Sequence, residues 1–329
     1  MKRALVTGGS GFVGRWLCAA LVRDGWDVTA TATFIPGVIE LGVDAPWGSL
    51  EDVAWIAGDV RDGAHLRDAI AQAKPDAVVH LAAISHVQQA TDSQELAWDV
   101  NVRAPVRLLQ EISAQRAEGA IDPRVLLVGS AEQYGRQPGA LMPLVESTEQ
   151  RPLTVYGATK AAQEIAGLQS FRAEGLQVVC VRPFPHSGPG QEPRFVIPAL
   201  VRRAMGLKAA NTGAPMTLGN TSPIRDFLHV SDVVDAYIAL IGKGQSGTAY
   251  NVASGVGRTV REVAERVLAR AGVAAPLFED PALVRAVDVP ALVGDATRLT
   301  ADTGWRPKRA FDDILDDLLY DLQKHAATI

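Results

Sequence analysis

Short apolar, β-branched runs recur along this chain at 3–7, 28–33, 53–57, 77–81, 125–128 and 178–181. Runs of that length read as buried strands. The segments between them are long enough to be crossover helices, beginning with the apolar-periodic stretch 12–22. Strands alternating with helices predict an α/β fold, a doubly wound parallel sheet with helices on both faces, and ligands of such sheets gather beyond the strand C-termini. After Arg182 the rhythm breaks into Pro- and Gly-rich pieces, with helices expected at 195–206 and 259–271. These pieces predict a smaller, discontinuous C-terminal region. The large domain is expected to comprise 1–184 and 221–254, and the smaller region 185–220 and 255–329. The stretch 232–241 and a strand at 249–253 are expected to rejoin the large sheet, and 34–50 receives no assignment.

Composition narrows the function classes. A chain of 329 residues with a formal net charge of −5 can bury a substantial core in about two domains, and it offers no basic stripe for nucleic acid. Cys18 and Cys180 are far apart and lie in apolar segments, which predicts packed thiols rather than a bridge or a metal site. A first strand opening at Arg3 is expected to leave no room for a signal peptide. No apolar run approaches the roughly 20 residues of a membrane span, so a cytoplasmic protein is expected.

Two patterns carry chemistry. The first strand runs directly into Gly8-Gly9-Ser10-Gly11-Phe12-Val13-Gly14 and a helix. In this Rossmann-type arrangement Gly8 permits the tight turn, Gly11 lets a pyrophosphate approach the backbone, and Gly14 lets the helix pack on its strand. Further on, Tyr156-Gly157-Ala158-Thr159-Lys160 places a phenol and an ammonium four residues apart, on one face of a helix. A cation within reach is expected to lower a tyrosine pKa of about 10 by roughly 1 to 3 units, making the phenol a proton donor near neutral pH. Ser130, at the end of the strand 125–128, is expected beside Tyr156.

With these motifs in order, the chain resembles the extended short-chain dehydrogenase/reductase (NAD-dependent epimerase/dehydratase) family nearly from end to end. Within that family it is similar to the GDP-4-keto-6-deoxymannose reductases. Gly58-Asp59-Val60 and His80-Leu81-Ala82-Ala83 match further family landmarks, as do Arg182-Pro183-Phe184, Arg225-Asp226-Phe227, Tyr250-Asn251-Val252 and the segment 285–295. The resemblance implies that Gly8, Gly11, Phe12, Val13, Gly14, Thr33, Asp59, Val60, Leu81, Ala82, Ala83, Asn101, Tyr156, Lys160 and Pro183 contact a nicotinamide dinucleotide. It implies that Ser85, Glu132, His186, Val196, Arg225, Arg285 and Asp288 contact a nucleotide-linked sugar, with the two arginines clamping the diphosphate and Asp288 accepting from a ribose hydroxyl. His186 is expected as a pocket wall, and no metal is expected. Ser130 would polarise the C4 carbonyl of a GDP-linked 4-keto-6-deoxyhexose, Tyr156 would protonate it, and Lys160 would hold the nicotinamide ribose.

Departures from the pattern sharpen or loosen these expectations. Family dehydratases use a glutamate at the place of Glu132 as a base and keep Asp or Ser before it; here that place is Ala131, which favours a reductase. Relatives carry Asn where this chain has Pro185, a residue without a backbone donor, which loosens substrate identity. The expected cofactor is NAD(P)H, with a slight preference for NADP(H). No carboxylate stands in Ala30-Thr31-Ala32-Thr33 to grip an NAD ribose, yet the arginine common in relatives is missing at Thr33. Arg15, directly after the last glycine, is expected either to approach a 2′-phosphate or to be a solvated helix arginine. A C4 epimerase with tightly bound NAD, a 4,6-dehydratase and a non-catalytic NAD(P)-sensing regulator stay open as alternatives. Relatives pair through two helices per subunit, here 93–115 and 156–174, so a homodimer or a tetramer is expected.

Overall fold

The computed structural model describes residues 1–33, 45–137, 142–284 and 289–326. Its strands are β1 (Arg3–Thr7), β2 (Asp27–Ala32), β3 (Val53–Ala57), β4 (Ala77–His80), β5 (Arg124–Val128), β6 (Gln177–Pro183), β7 (His186–Ser187), β8 (Met216–Leu218), β9 (Ile224–Asp226), β10 (Leu228–His229), β11 (Thr248–Val252), β12 (Gly257–Thr259), β13 (Leu277–Glu279) and β14 (Ala291–Leu292). Seven of them form one sheet in the order β11-β6-β5-β4-β1-β2-β3, with every pairing parallel. The order reverses between β1 and β4, which opens a crevice above their C-terminal ends. Both central strands are buried on both faces, as continuous apolar runs require in a covered parallel sheet.

The longer helices are α1 (Phe12–Arg23), α2 (Gly63–Ala73), α3 (Ala104–Ala117), α4 (Val155–Glu174), α5 (Val196–Ala210), α6 (Val230–Lys243), α7 (Val260–Ala271) and α8 (Phe311–Ala326). One sheet face packs against α1 and α6 through Leu17, Leu21, Val233, Tyr237 and Leu240. The other carries α2 and α3 through Leu66, Ile70, Leu108 and Ile112. The expected α/β architecture is thus present, and 232–241 and 249–253 do rejoin the large sheet as α6 and β11. A separate core gathers α5, α7 and α8 around Leu200, Val201, Val267, Phe311 and Ile314. Small strands stitch the two regions together: β9 pairs with β12 and β14, and Leu299 and Trp305 pack into the large core. Asp226 anchors this junction by accepting from Ser254 N (3.0 Å), Gly255 N (2.9 Å), Gly294 N (3.3 Å) and the Ser254 hydroxyl.

One expected element differs. The stretch 93–115 is a short helix Gln94–Trp98, a π-helical turn Asp99–Arg103 and then α3. Pro105 has no N–H to give the Asn101 carbonyl, so the ladder must widen there. Residues 34–44 of the unassigned stretch lie outside the described residues. Cys18 and Cys180 are buried free thiols, and burial pushes Cys18 up to about 12. Among the described residues, no helix is long and apolar enough to cross a membrane.

His80, at the end of β4, is fully buried; its Nδ1 shares a hydrogen bond of 2.8 Å with Thr7 Oγ1, and its Nε2 has no protein partner. Burial, then the charge of Lys160, pushes the imidazole down from 6.5 to about 3. The unfolded chain therefore binds the extra proton first, so this contribution to stability is complete above 6.5 and is lost as pH falls towards 3. The thermal midpoint is expected to fall as pH drops from 6.5 to about 4, and less steeply in His80→Asn. Equal slopes in calorimetry would count against this source.

Candidate active site

A cavity of about 890 Å³ lies over the C-terminal ends of the central strands. Its floor begins at the glycine turn. Gly8 holds φ +72°, and a Cβ there would stand 2.7 Å from Ala82 N; a Cβ on Gly14 would stand 2.3 Å from the Gly8 carbonyl. The backbone alone shapes this cradle. Gly11, the N-cap of α1, gives no side-chain cap, which leaves the first-turn amides available to an anion. A dinucleotide pyrophosphate fits this donor set. Thr33, Asp59, Val60, Leu81, Ala82 and Ala83 continue the same wall, with Ser85, Pro183, His186 and Val196 farther along it. The Asp59 carboxylate is gripped by Arg61 (Nη2 to Oδ2, 2.6 Å), and that hydrogen bond holds its pKa below the usual range.

At the other end of the cavity the expected reacting groups, Ser130, Tyr156 and Lys160, converge. Ser130 follows β5, its Oγ accepts from Glu132 N at 3.1 Å, and its own N–H donates to Gln133 Oε1 at 2.7 Å, a reciprocal cap that fixes the turn. Tyr156, in the first turn of α4 behind the Thr154 cap (Gly157 N to Thr154 Oγ1, 3.0 Å), lines the cavity with Ser130. The phenol is not acidified. Burial pushes it up to about 12; the Ser130 bond opposes that rise and the Glu132 charge adds to it. Lys160 is itself pushed down by burial, from 10.5 to about 7. Its Nζ donates to the Val128 carbonyl at 2.7 Å and to Gln163 Oε1 at 2.9 Å. The expectation of a phenol kept acidic by an adjacent ammonium is corrected: desolvation raises Tyr156, the neighbours that act on it are Ser130 and Glu132, and Lys160 is itself lowered by burial.

Behind Ser130 lies a buried polar network. The Arg182 guanidinium meets Glu164 in a two-pronged contact, Nε to Oε2 at 2.8 Å and Nη2 to Oε1 at 2.6 Å, with both side chains about 5% exposed or less. Arg182 also donates to the Tyr134 hydroxyl (2.9 Å), which donates to Asn251 Oδ1 (2.6 Å). Gln133, the residue that caps Ser130, donates to Glu164 Oε2 at 3.0 Å. The serine is therefore positioned by a chain of contacts reaching β6 and α4.

Some expected residues stand elsewhere. Asn101 does not line the cavity; it is fully buried, bonds Ile84 N (2.8 Å) and Ile84 O (3.1 Å), and donates to Thr159 Oγ1 (3.0 Å). It lies in the π-helical turn and braces the strand-end loop at Ile84. Arg225 also lies outside the cavity lining, donating to the Val289 carbonyl at 2.7 Å and to Ile224 O at 3.0 Å. Arg285 and Asp288 lie outside the described residues. Arg15 lines the cavity, stacked 4.2 Å from the Trp47 ring and donating to Gly190 O at 3.1 Å. Sequence reading missed Phe195, Gln191, Phe227 and Tyr237 as lining residues. Gln191 and Phe195 come from a Pro/Gly-rich loop and Tyr237 from a core-patterned helix, whereas Phe227 ends the Arg225-Asp226-Phe227 landmark without the landmark saying that it lines the cavity. Pro185 lines the wall as well, and His186 stacks on Phe12 at 6.2 Å between ring centres. Among the described residues no cluster of three or more metal-ligating side chains occurs.

Removing one partner of the buried pair strands the other charge, which costs about 3–5 kcal/mol. Glu164→Leu is expected to lose that much in denaturant unfolding, and a loss under about 1 kcal/mol would contradict the network's role.

The chain matches the family described as GDP-mannose 4,6 dehydratase over residues 5–318. It is 33% identical over 247 residues to a GDP-6-deoxy-D-mannose reductase of Pseudomonas aeruginosa, covering 75% of this chain and 80% of that protein. It is 31% identical over 328 residues to a UDP-glucose 4-epimerase of Streptomyces lividans, covering 95% and 94%. The structure of RMD from Pseudomonas aeruginosa complexed with NADPH superposes with a TM-score of 0.81 at 28% identity, covering 98% of this chain and all of that one (100%). Glycine cradle, Ser-Tyr-Lys centre and these similarities agree: the chain belongs to the GDP-mannose 4,6-dehydratase family of extended short-chain dehydrogenases/reductases.

Proposed function

We propose that this protein is an NAD(P)H-dependent reductase of the C4 ketone in a nucleotide-linked 4-keto-6-deoxyhexose, with GDP-4-keto-6-deoxy-D-mannose as substrate and GDP-D-rhamnose as product. The observation that carries the reading is a single cavity on which the glycine turn, Ser130, Tyr156 and Lys160 converge, with burial keeping the Tyr156 phenol protonated. A reduction must begin with a proton to give, whereas an epimerase or a dehydratase opens by oxidising an alcohol and needs the phenolate first. The buried, apolar Ala131 beside Glu132 argues in the same direction, since it can neither donate nor accept for a leaving hydroxyl. The reductase relative supports the substrate class by its printed activity.

In this reading the nicotinamide, when bound, supplies the hydride. Ser130 donates to the C4 carbonyl oxygen and holds it against Tyr156, whose proton passes to that oxygen as negative charge develops. Lys160 orients the nicotinamide ribose, and the glycine turn holds the pyrophosphate. Glu132 orients the sugar. Arg285 and Asp288 hold the nucleotide diphosphate and its ribose, Arg225 supports that segment through the Val289 carbonyl, and Asn101 acts on the cofactor through the loop it braces. A slight preference for NADP(H) follows from the absence of a carboxylate at Thr33 and from the cations Arg15 and Arg61 on that wall. The reading includes a cytoplasmic homodimer formed through 93–115 and 156–174, and a division into a cofactor domain of 1–184 with 221–254 and a sugar-nucleotide region of 185–220 with 255–329.

Incubation with NADPH and a panel of nucleotide-linked 4-keto sugars is expected to consume one NADPH per alcohol formed, followed by nicotinamide absorbance and product identification. Product without net NADPH loss would instead mark an epimerase. Tyr156→Phe is expected to lower turnover about 10²–10⁴-fold while NADPH binding persists. Near-normal turnover in that variant would refute the assignment.

A further inference from the structure

Lys160 carries its ammonium into a pocket with acceptors but no countercharge. The side chain is 2% exposed, and its Nζ reaches the Val128 carbonyl and Gln163 Oε1. Gln163 is 1% exposed, and its Nε2 donates to the same carbonyl at 3.2 Å. Lysine, glutamine and carbonyl thus close a triangle at the end of β5, two positions before Ser130. No described carboxylate stands within ion-pair distance of Nζ. An apolar side chain could fill the place of Gln163 without desolvating an amide. The amide is accounted for by its two bonds here.

We propose that Gln163 is a positioning residue for Lys160: it fixes where the ammonium points and holds its proton against burial. The inference rests on the reading of Lys160 as a ligand of the nicotinamide ribose. An ammonium has three N–H bonds in fixed geometry. Val128 and Gln163 take two, which directs the third into the cavity that Lys160 lines. Without the glutamine, one carbonyl leaves the group free to turn about that single bond.

The surrounding groups offer no substitute. His80 on β4 is neutral because burial holds its pKa near 3, and Tyr156, one turn earlier on α4, is neutral at the same pH. The Cys180 thiol on β6 is raised by burial and stays neutral. Glu132 acts on Tyr156, Glu164 is committed to Arg182, and Asp99 and Arg103 of the π-helical turn pair with each other. The acceptor on Gln163 is the side-chain group that opposes desolvation of the ammonium.

The test measures the NADPH dissociation constant by fluorescence, and kcat, from about pH 5.5 to 9 in the parent, Gln163→Leu and Gln163→Glu. In the parent, affinity is expected to fall as pH rises through about 7, where Lys160 loses its charge. Gln163→Leu is expected to move that limb down by about one pH unit or more, because a hydrogen bond to a charged group is lost. Gln163→Glu, nearly the same shape, is expected to move it up by a similar amount. Opposite displacements are not produced by packing alone. If Gln163→Leu fails to fold, the upward move in Gln163→Glu decides the matter by itself. An unmoved limb in Gln163→Glu with NADPH still bound would overturn this inference alone. No NADPH binding in any of the three proteins would overturn the functional reading, and this inference with it.

Discussion

A guanidinium and a carboxylate, both shielded from water, hold the reacting end of this molecule in register. Arg182 on β6 and Glu164 on α4 would each be expensive to bury alone; together, with their remaining donors and acceptors engaged by Tyr134, Gln133 and the Glu146 carbonyl, they form a satisfied unit. The unit fixes a strand, a helix and the turn after β5 relative to one another. Ser130 belongs to that turn, through its bond to Gln133, and Tyr156 to that helix, so their relative placement depends on the buried pair behind them.

The glycine cradle and the centre around Ser130 sit at opposite ends of one crevice because the strand order reverses between β1 and β4. Closure over that crevice comes from the loop after β6. Trp16 and Arg15 on α1 donate to the carbonyls of Pro189 and Gly190, so the cofactor helix and the loop that carries His186 are tied directly. Asp226 ties the far side by collecting donors from two segments, 254–255 and 294. The cavity walls are thus pinned at both ends through backbone groups.

Much of this was legible in the sequence. Strands buried on both faces are continuous apolar runs, so 3–7, 77–81 and 125–128 announced themselves, and Gly8 and Gly14 stood where only glycine fits. The spacing of Tyr156 and Lys160 placed both groups at the cavity. Their proton affinities were not legible, because spacing reports a neighbouring charge and not the depth of burial that overrides it. Gln163, Gln133 and Glu164 read as ordinary polar positions on helices; their partners come from other strands and turns, as the contact between Tyr134 and Asn251, 117 residues apart, illustrates. Asn101 was read from motif position alone, and the π-helical turn that holds it has no local signature beyond Pro105.

A centre that starts loaded must be reloaded. If the phenol at Tyr156 gives up its hydrogen in each cycle, His80, neutral and sealed, is no source for a replacement, whereas Lys160, one turn along the same helix and lining the same cavity, is the stronger acid of the pair. The ammonium that steers the cofactor would then also be the first reservoir of the proton, refilled in turn from water. Orientation and reloading therefore draw on one side chain, and whatever moves its titration moves both.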